Sequence, residues 1–165
     1  MYMLTPGKQF EADFKNSIPK DCYHYKPTDS AVGFDIEHST QRFSRESPYD
    51  LIICRNGQMY GFELKSNKEK RMSFSGKTPR IKPKQVEELL KAENAGAKAG
   101  LVLNFRTYEK TYFIKASVFK RFMDTSGKKS VNLNDAEEMG MEIPFRLLKV
   151  HYRYDLEELL TPPLK

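Results

Sequence analysis

Two carboxylates and a lysine flank one predicted β-hairpin, and together they could perform metal-assisted chemistry. Apolar strand segments lie on both sides of Asn56-Gly57, a dipeptide that favours a tight type I′ turn because both of its residues accept a positive φ. If these residues form the turn, pairing along the strands brings Asp50 directly opposite Glu63. Lys65 follows two residues later and therefore lies on the same face of the sheet.

Opposed carboxylates repel each other, so this pair predicts a neutralising partner. Like charges directly opposite each other destabilise a strand pair, and Mg²⁺ binds through one or two carboxylates together with water and phosphate oxygens. A bound cation can activate a water molecule, and an adjacent lysine can stabilise negative charge on a phosphate. The pattern indicates phosphodiester hydrolysis. The alternative is that Asp50 only starts a strand, and that Glu63 and Lys65 form an ordinary polar face.

A basic segment follows the hairpin directly. Between residues 66 and 84 there are seven Lys and Arg residues and one acidic residue, Glu69, an excess equal to the net charge of +6 of the whole chain. The basic residues are Lys68, Lys70, Arg71, Lys77, Arg80, Lys82 and Lys84. Such a segment favours an anionic partner, most often nucleic acid. The alternative is a solvated, flexible loop.

Two further polar residues could contribute to the same site. Glu11, on the first predicted helix, could reach the metal through a water molecule, and Gln85 could hydrogen-bond a phosphate or an active-site water. For both, a solvated surface position is the alternative. The three histidines are scattered without a metal-ligand spacing, and no Gly-rich phosphate loop or zinc cluster is present. No small-molecule cofactor is therefore expected.

Length and composition predict one domain. A chain of 165 residues is long enough for a single hydrophobic core, though not for two well-packed ones. No apolar run approaches the roughly 20 residues of a membrane span, and the first residues lack a signal-peptide pattern, so a cytoplasmic protein is expected. Cys54 lies in an apolar run and is expected to be buried.

Helical and strand patterns alternate around the hairpin. The predicted elements are a helix capped by Thr5, a short strand at 23–25, the hairpin, a helix from Pro83 to about residue 94, strands at 101–105 and 111–114, a helix at 116–124 and a short final helix at 155–160. This order predicts an α/β fold with a mixed sheet and helices packed against it. Residues 28–47 are weakly periodic and are interpreted as an excursion or long loop.

Several motifs resemble one nuclease family. Pro48-Tyr49-Asp50 followed by Glu63-Leu64-Lys65 resembles the PD-(D/E)xK nuclease signature. The wider order of motifs is similar to that of the RecU-type Holliday junction resolvases and runs from about residue 7 to residue 143. The motifs are Gly7-Lys8-Gln9-Phe10-Glu11, Tyr25-Lys26-Pro27, Met72-Ser73-Phe74, Ile81-Lys82-Pro83-Lys84-Gln85, Tyr112-Phe113-Ile114 and Gly127-Lys128-Lys129-Ser130-Val131.

The resemblance implies an architecture. It implies a restriction-endonuclease-like mixed β-sheet flanked by helices, in a single nuclease domain over residues 1–165. Residues 28–47 would form a short stalk that enters the junction centre, and residues 144–165 a C-terminal extension without a clear counterpart. Two departures from the family are visible: the stretch from Pro27 to Asp50 is short, and Leu51-Ile52 replaces the expected polar pair. A compact, phage-borne member of the family would fit these features.

The resemblance also implies an activity. A homodimer would cut two opposed strands of a four-way DNA junction with Mg²⁺ or Mn²⁺, in a bacterial cell or a phage-infected host. The implied metal site comprises Asp50, Glu63 and Leu64, with support from Glu11, catalysis assisted by Lys65 and an active-site role for Gln85. Arg42, Phe43 and Arg45 on the stalk would face the DNA, together with the basic segment. The alternatives are a nuclease of the same fold that acts on duplexes or single strands, and a branched-DNA-binding protein without turnover.

Overall fold

A computed structural model describes residues 4–28 and 47–162 of the chain. Its helices are α1 (Pro6–Asn16), α2 (Pro83–Asn94), α3 (Ala116–Thr125) and α4 (Leu133–Met139), with a 3₁₀ turn at Arg106–Tyr108. Its strands are β1 (Tyr23–Tyr25), β2 (Leu51–Arg55), β3 (Gln58–Asn67), β4 (Arg71–Ser73), β5 (Lys98–Phe105), β6 (Lys110–Lys115), β7 (Ser130–Asn132), β8 (Met141–Glu142), β9 (Phe145–Leu147) and β10 (Tyr152–Tyr154). Within these ranges no helix is long and apolar enough to cross a membrane.

A mixed sheet forms the centre of the molecule, as predicted. Its strand order is β1-β2-β3-β5-β6-β8. The neighbours β3 and β5 are parallel, because α2 provides the crossover between them. The other neighbours in this sheet are antiparallel. Two small two-stranded sheets, β4 with β7 and β9 with β10, lie outside it.

The hairpin of β2 and β3 has the predicted turn and register. Asn56 and Gly57 have φ values of 51° and 78°, as a type I′ turn requires. Pairing runs from Arg55 with Gln58 to Leu51 with Phe62. The prediction that Asp50 pairs with Glu63 across this ladder is wrong, because the ladder ends at Leu51. The amide of Asp50 instead donates to the carbonyl of Phe62 at 3.0 Å.

The sequence also predicts three of the helices correctly. Helix α1 follows the cap residue Thr5, whose hydroxyl accepts a hydrogen bond from the amide of Lys8. Helix α2 begins at Pro83, a position where the missing amide proton costs nothing, and its inner face buries Val86 and Leu89. Helix α3 extends one residue beyond the predicted 116–124.

Apolar residues cover both faces of the sheet, so the interior is divided into two clusters rather than the single core predicted from length. The first cluster joins α2 and α3 to one face and includes Leu101, Leu103 and Phe119. The second joins α1 and the C-terminal residues to the other face and includes Phe14 and Phe62. Alternation along each strand produces this division, since neighbouring side chains point to opposite faces.

The C-terminal residues differ from their prediction. Residues 155–160 do not form a helix, since 157–160 form a turn. The preceding strands β9 and β10 form a hairpin, and Tyr154, Leu156 and Leu160 are buried in the second cluster. Cys54, predicted to be buried, is exposed. The predicted stalk lies outside the described residues, except for its ends at Thr28 and Ser47.

Candidate active site

Glu63 lies at the centre of the candidate site. Strand β3 carries it into the interior, where the residue is only 2% exposed. The Nζ of Lys65 lies 2.7 Å from its Oε1, and the Nε2 of Gln85 donates to the same oxygen at 2.5 Å. The Oε1 of Gln85 in turn accepts from the amide of Lys82 at 3.1 Å. Gln85 is therefore fixed at both ends of its amide group, and it joins the start of α2 to β3.

Asp50 enters the site from the residue before β2. Its Oδ2 accepts a hydrogen bond from the amide of Leu64 at 2.8 Å, so the carboxylate is held beside the segment that carries Glu63 and Lys65. Glu11 approaches from α1, where its Oε2 lies 2.6 Å from the Nζ of Lys26 and 3.5 Å from that of Lys8. Besides burial, the charge of Glu11 helps to raise the pKa of both Asp50 and Glu63, so the three carboxylates lie near one another.

The pKa values of Asp50 and Glu63 are both raised, which means that the surroundings of these carboxyls disfavour their ionised form. Burial raises the pKa of Glu63 to about 7, with a further contribution from the charge of Asp50, although Lys65 opposes the shift. Burial also raises the pKa of Asp50, to which Glu11 adds, against the lowering effect of the Leu64 amide. A divalent cation would remove this repulsion and favour the ionised form of both groups.

The oxygen atoms of the site suit a hard cation. Asp50 Oδ1 and Glu63 Oε2 accept no hydrogen bond from any described residue. Over the described ranges no group of three His, Cys, Asp or Glu side chains forms a ready metal cage. A site with two carboxylates still fits Mg²⁺, because water and substrate phosphate oxygens supply its remaining ligands. The amide of Leu64 donates to Asp50, and its side chain packs in the second cluster. Of this residue, only the carbonyl oxygen could therefore contact a metal.

The basic segment connects the end of β3 to the start of α2, the two elements that position Glu63, Lys65 and Gln85. Its seven Lys and Arg side chains are all exposed. Arg80 also stabilises the segment, since its Nη2 donates to the carbonyl of Ser66 at 2.7 Å. The segment therefore presents exposed positive charge next in sequence to Lys65 and Gln85, where it could contact an anionic chain. Arg42 and Arg45 lie outside the described residues.

A buried polar network beside the site was missed by the sequence analysis. Ser66 Oγ donates to Asn104 Oδ1 at 2.7 Å, and Asn104 Nδ2 donates to Thr111 Oγ1 at 2.9 Å. Arg106 Nη1 also donates to Ser66 Oγ at 3.0 Å. The network fixes the ends of β3 and β5 next to Lys65. A polar residue at the end of each of two apolar strands was the available signal.

Comparisons with known proteins agree with this architecture. The family Recombination protein U (RecU) matches residues 14–157, which extends the match beyond Ile143. An uncharacterized SPbeta prophage-derived protein of Bacillus subtilis strain 168, YotM, is 29% identical over 174 residues, covering 96% of this chain and 87% of YotM.

A solved structure with a similar fold is Hjc, a Holliday junction resolvase of Archaeoglobus fulgidus. It has a TM-score of 0.51 at 18% identity, and the match covers 82% of this chain and 95% of Hjc. This similarity shows the fold, a restriction-endonuclease-like mixed sheet flanked by helices, as predicted. Since the family match covers most of the sequence and the fold agrees with it, this chain belongs to the Recombination protein U (RecU) family.

Proposed function

We propose that this protein is a metal-dependent endonuclease that resolves four-way DNA junctions by paired phosphodiester hydrolysis during recombination or repair. One observation carries the proposal: the buried Glu63 is held by Lys65 and Gln85, Asp50 is held beside it by the Leu64 amide, and an exposed basic segment joins the strand of Lys65 to the helix of Gln85. Membership of the RecU family supports it, and so does the fold shared with Hjc, which is described as a Holliday junction resolvase.

In this proposal Asp50 and Glu63 hold Mg²⁺ or Mn²⁺, with the carbonyl of Leu64 and the carboxylate of Glu11 nearby. The cation supplies a water of lowered pKa and stabilises charge on the scissile phosphate. No small-molecule cofactor is required.

The other site residues would position the Glu63 carboxylate and stabilise negative charge on the phosphate. Lys65 is 18% exposed at its side chain, so it is partly desolvated and can donate to a phosphate oxygen or to the attacking water. Gln85 holds the Glu63 carboxylate in one orientation. Phosphates would be bound by Lys68, Lys70, Arg71, Lys77, Arg80, Lys82 and Lys84, and by Arg42 and Arg45 of the proposed stalk.

Symmetry of the substrate favours a homodimer. A four-way junction presents two equivalent strands for cutting, and a twofold pair of identical subunits places one site at each. We propose a single nuclease domain over residues 1–165, with a stalk at 28–47 and a C-terminal segment at 144–165 whose first part, up to residue 157, lies within the family match. The DNA of a bacterial cell, or of a phage in its host, would be the substrate, so the protein would act in the cytoplasm.

A cleavage assay with three substrates tests the proposal. The protein is incubated with a synthetic four-way junction, a linear duplex of the same sequence and a single strand, in Mg²⁺ or in EDTA. We expect paired cuts in the junction with Mg²⁺ and none with EDTA. Equal cutting of the duplex or the single strand would instead show a general nuclease of this fold. Junction binding in EDTA without cutting in Mg²⁺ would show a non-catalytic binding protein.

A further inference from the structure

The hairpin of β9 and β10 is a rigid element that the proposed catalytic site does not use. Its inner face packs on α1 through aromatic contacts, with the Tyr154 ring 5.6 Å from that of Phe10 and 5.3 Å from that of Phe145. Two buried polar groups, Asp13 of α1 and Ser17 directly after this helix, also fix the backbone of the hairpin. Asp13 accepts from the amide of Tyr152 at 3.1 Å, and Ser17 accepts from that of Tyr154 at 2.9 Å.

The outer side of this hairpin carries unneutralised positive charge. Arg146 and Arg153 are directly opposite each other across the two strands, an arrangement that destabilises a hairpin. Both are exposed, as is Lys149 in the turn. Residues 144–154 contain no acidic residue. None of the three cations forms an ion pair with a described residue, so an anion from outside the chain would relieve the repulsion.

Carboxylates lie close to the hairpin, but none of them is ion-paired with the two arginines. An open groove borders the arginines and includes Lys20 as a further cation. Asp155 and Glu157 also line this groove. Glu157 lies 2.9 Å from Arg55, whereas Asp155 accepts the amide of Glu157 at 3.2 Å and keeps its charge. Among the described residues that line the groove, the cations Arg146, Arg153 and Lys20 therefore outnumber Asp155, the carboxylate without an ion pair.

The tip of the hairpin is apolar although it is open to solvent. Leu147, Leu148 and Val150 are 62%, 40% and 76% exposed. Arg146 precedes Leu147, and Lys149 lies between Leu148 and Val150, so the tip combines apolar side chains with charges. Proteins that distort DNA use this combination, in which cations hold the backbone while an apolar wedge contacts unstacked bases.

We propose that the β9–β10 hairpin is a second DNA contact, in which Arg146, Lys149 and Arg153 bind backbone phosphates and the apolar tip packs against bases where stacking is interrupted. This inference rests on the proposed function, since it assigns a further contact to the same substrate. The hairpin is anchored on Asp13 of α1, the helix that also carries Glu11.

The charge contact is tested by the salt dependence of binding. Fluorescence anisotropy with a labelled four-way junction in EDTA gives the affinity of the full chain over a range of KCl concentrations. The variant Arg146→Gln/Arg153→Gln should lower the slope of log affinity against log salt by about 1.8, because each phosphate contact contributes about 0.9. Its thermal stability should be unchanged or higher, since a like-charge pair is removed. Lys149→Gln, in the turn, should lower the slope by about 0.9.

A matched control carries the same change of charge elsewhere. Lys115→Gln/Arg121→Gln removes two exposed cations of the α3 region and should leave the slope unaltered. If the hairpin variants also leave the slope unaltered while wild type binds and cuts the junction, the inference is overturned and the proposed function stands. If wild type does not bind the junction, both fall.

The apolar contact has a separate measurement. With 2-aminopurine at the junction centre, binding of wild type should increase its fluorescence, and Leu148→Ser/Val150→Ser should remove most of that increase. The apolar tip could instead contact a second copy of this chain. Sedimentation velocity of wild type and of the same variant tests this alternative. Loss of self-association with an unchanged fluorescence increase would assign the tip to a protein contact and overturn the DNA proposal.

Discussion

Glu63 is the residue at which stability and the proposed chemistry oppose each other. Its side chain is 3% exposed, and one of its oxygens accepts from both Lys65 and Gln85. Burial and the neighbouring Asp50 raise its pKa to about 7. A carboxyl with such a perturbed pKa, in contact with a lysine, is typical of functional sites. The proposed cation would bind the ionised form, so metal binding would offset this cost.

This cost predicts that Glu63→Gln stabilises the metal-free protein. The pKa of Glu63 is higher in the folded chain than the usual 4.5, so ionisation opposes folding progressively as the pH rises from about 4.5 to 7, and fully above 7. In EDTA the variant should gain about 1–3 kcal/mol in free energy of unfolding at pH 8 and little at pH 5. Denaturant titration measures it. Glu138→Gln, at an exposed position, is the control, and a loss of stability at pH 8 would contradict the argument.

Asp50 allows the catalytic role to be separated from DNA binding. Asp50→Asn keeps an oxygen that can accept from the Leu64 amide but removes the charge that would hold a cation. Junction cleavage with Mg²⁺ should fall at least about 100-fold, while affinity in EDTA is retained or increases because a carboxylate near phosphates is lost. Asp124→Asn removes an exposed charge on α3 and should cleave like wild type. Undiminished turnover of Asp50→Asn would exclude Asp50 from the site.

At the scale of elements, the close approach of β5 and β6 predicts a strongly destabilising substitution. A Cβ on Gly100 would lie 2.1 Å from the carbonyl oxygen of Ile114 and 2.8 Å from a ring carbon of Phe113. Gly100→Ala should therefore lower the free energy of unfolding by about 3 kcal/mol or more. Gly7→Ala, in α1, meets no atom within 4 Å and should stabilise by about 0.5–1 kcal/mol. Equal melting temperatures for the two variants would contradict this packing.

Elements with local signals could be predicted from the sequence. The turn at Asn56-Gly57 determines the β2–β3 register by itself, and Pro83 with its apolar stripe determines α2. The predicted final helix at 155–160 is wrong, since 157–160 form a turn. Leu156, Leu159 and Leu160 belong to the second cluster. The local backbone hydrogen bonds there run from the Leu160 amide to the Leu156 carbonyl and from the Thr161 amide to the Glu158 carbonyl. Tertiary packing thus overrides a short local pattern.

In the candidate site, too, the features with a local sequence signal could be predicted and those that depend on tertiary packing could not. Asp50, Glu63 and Lys65 could be brought together from the hairpin register, although Asp50 is held by the Leu64 amide rather than by strand pairing. The network of Ser66, Asn104 and Thr111 could not be predicted, because its members pair across three strands whose adjacency depends on the crossover through α2. The position of the β9–β10 hairpin could not be predicted either, because it depends on Asp13 of α1 and on Ser17 directly after that helix.

At the scale of the whole molecule, positive charge is concentrated in two separate regions of the chain. The first is the basic segment between β3 and α2, and the second is the β9–β10 hairpin beyond α1. Both lie next to elements that carry site carboxylates, Glu63 on β3 and Glu11 on α1. Under the proposed function, one DNA molecule would contact both regions while its scissile phosphate lies at the carboxylates.

Removing charges from the first region should weaken binding and flatten its dependence on salt. Lys68→Gln/Lys70→Gln/Arg71→Gln should lower the slope of log affinity against log salt by about 2.7, whereas Lys15→Gln/Lys115→Gln/Arg121→Gln should not change it. Combined with Arg146→Gln/Arg153→Gln, the reduction should reach about 4.5, because contacts to one DNA molecule add. A combined reduction no larger than 2.7 would mean that the two regions do not engage the same DNA together. An unchanged slope for the triple variant would mean that the basic segment is only solvated.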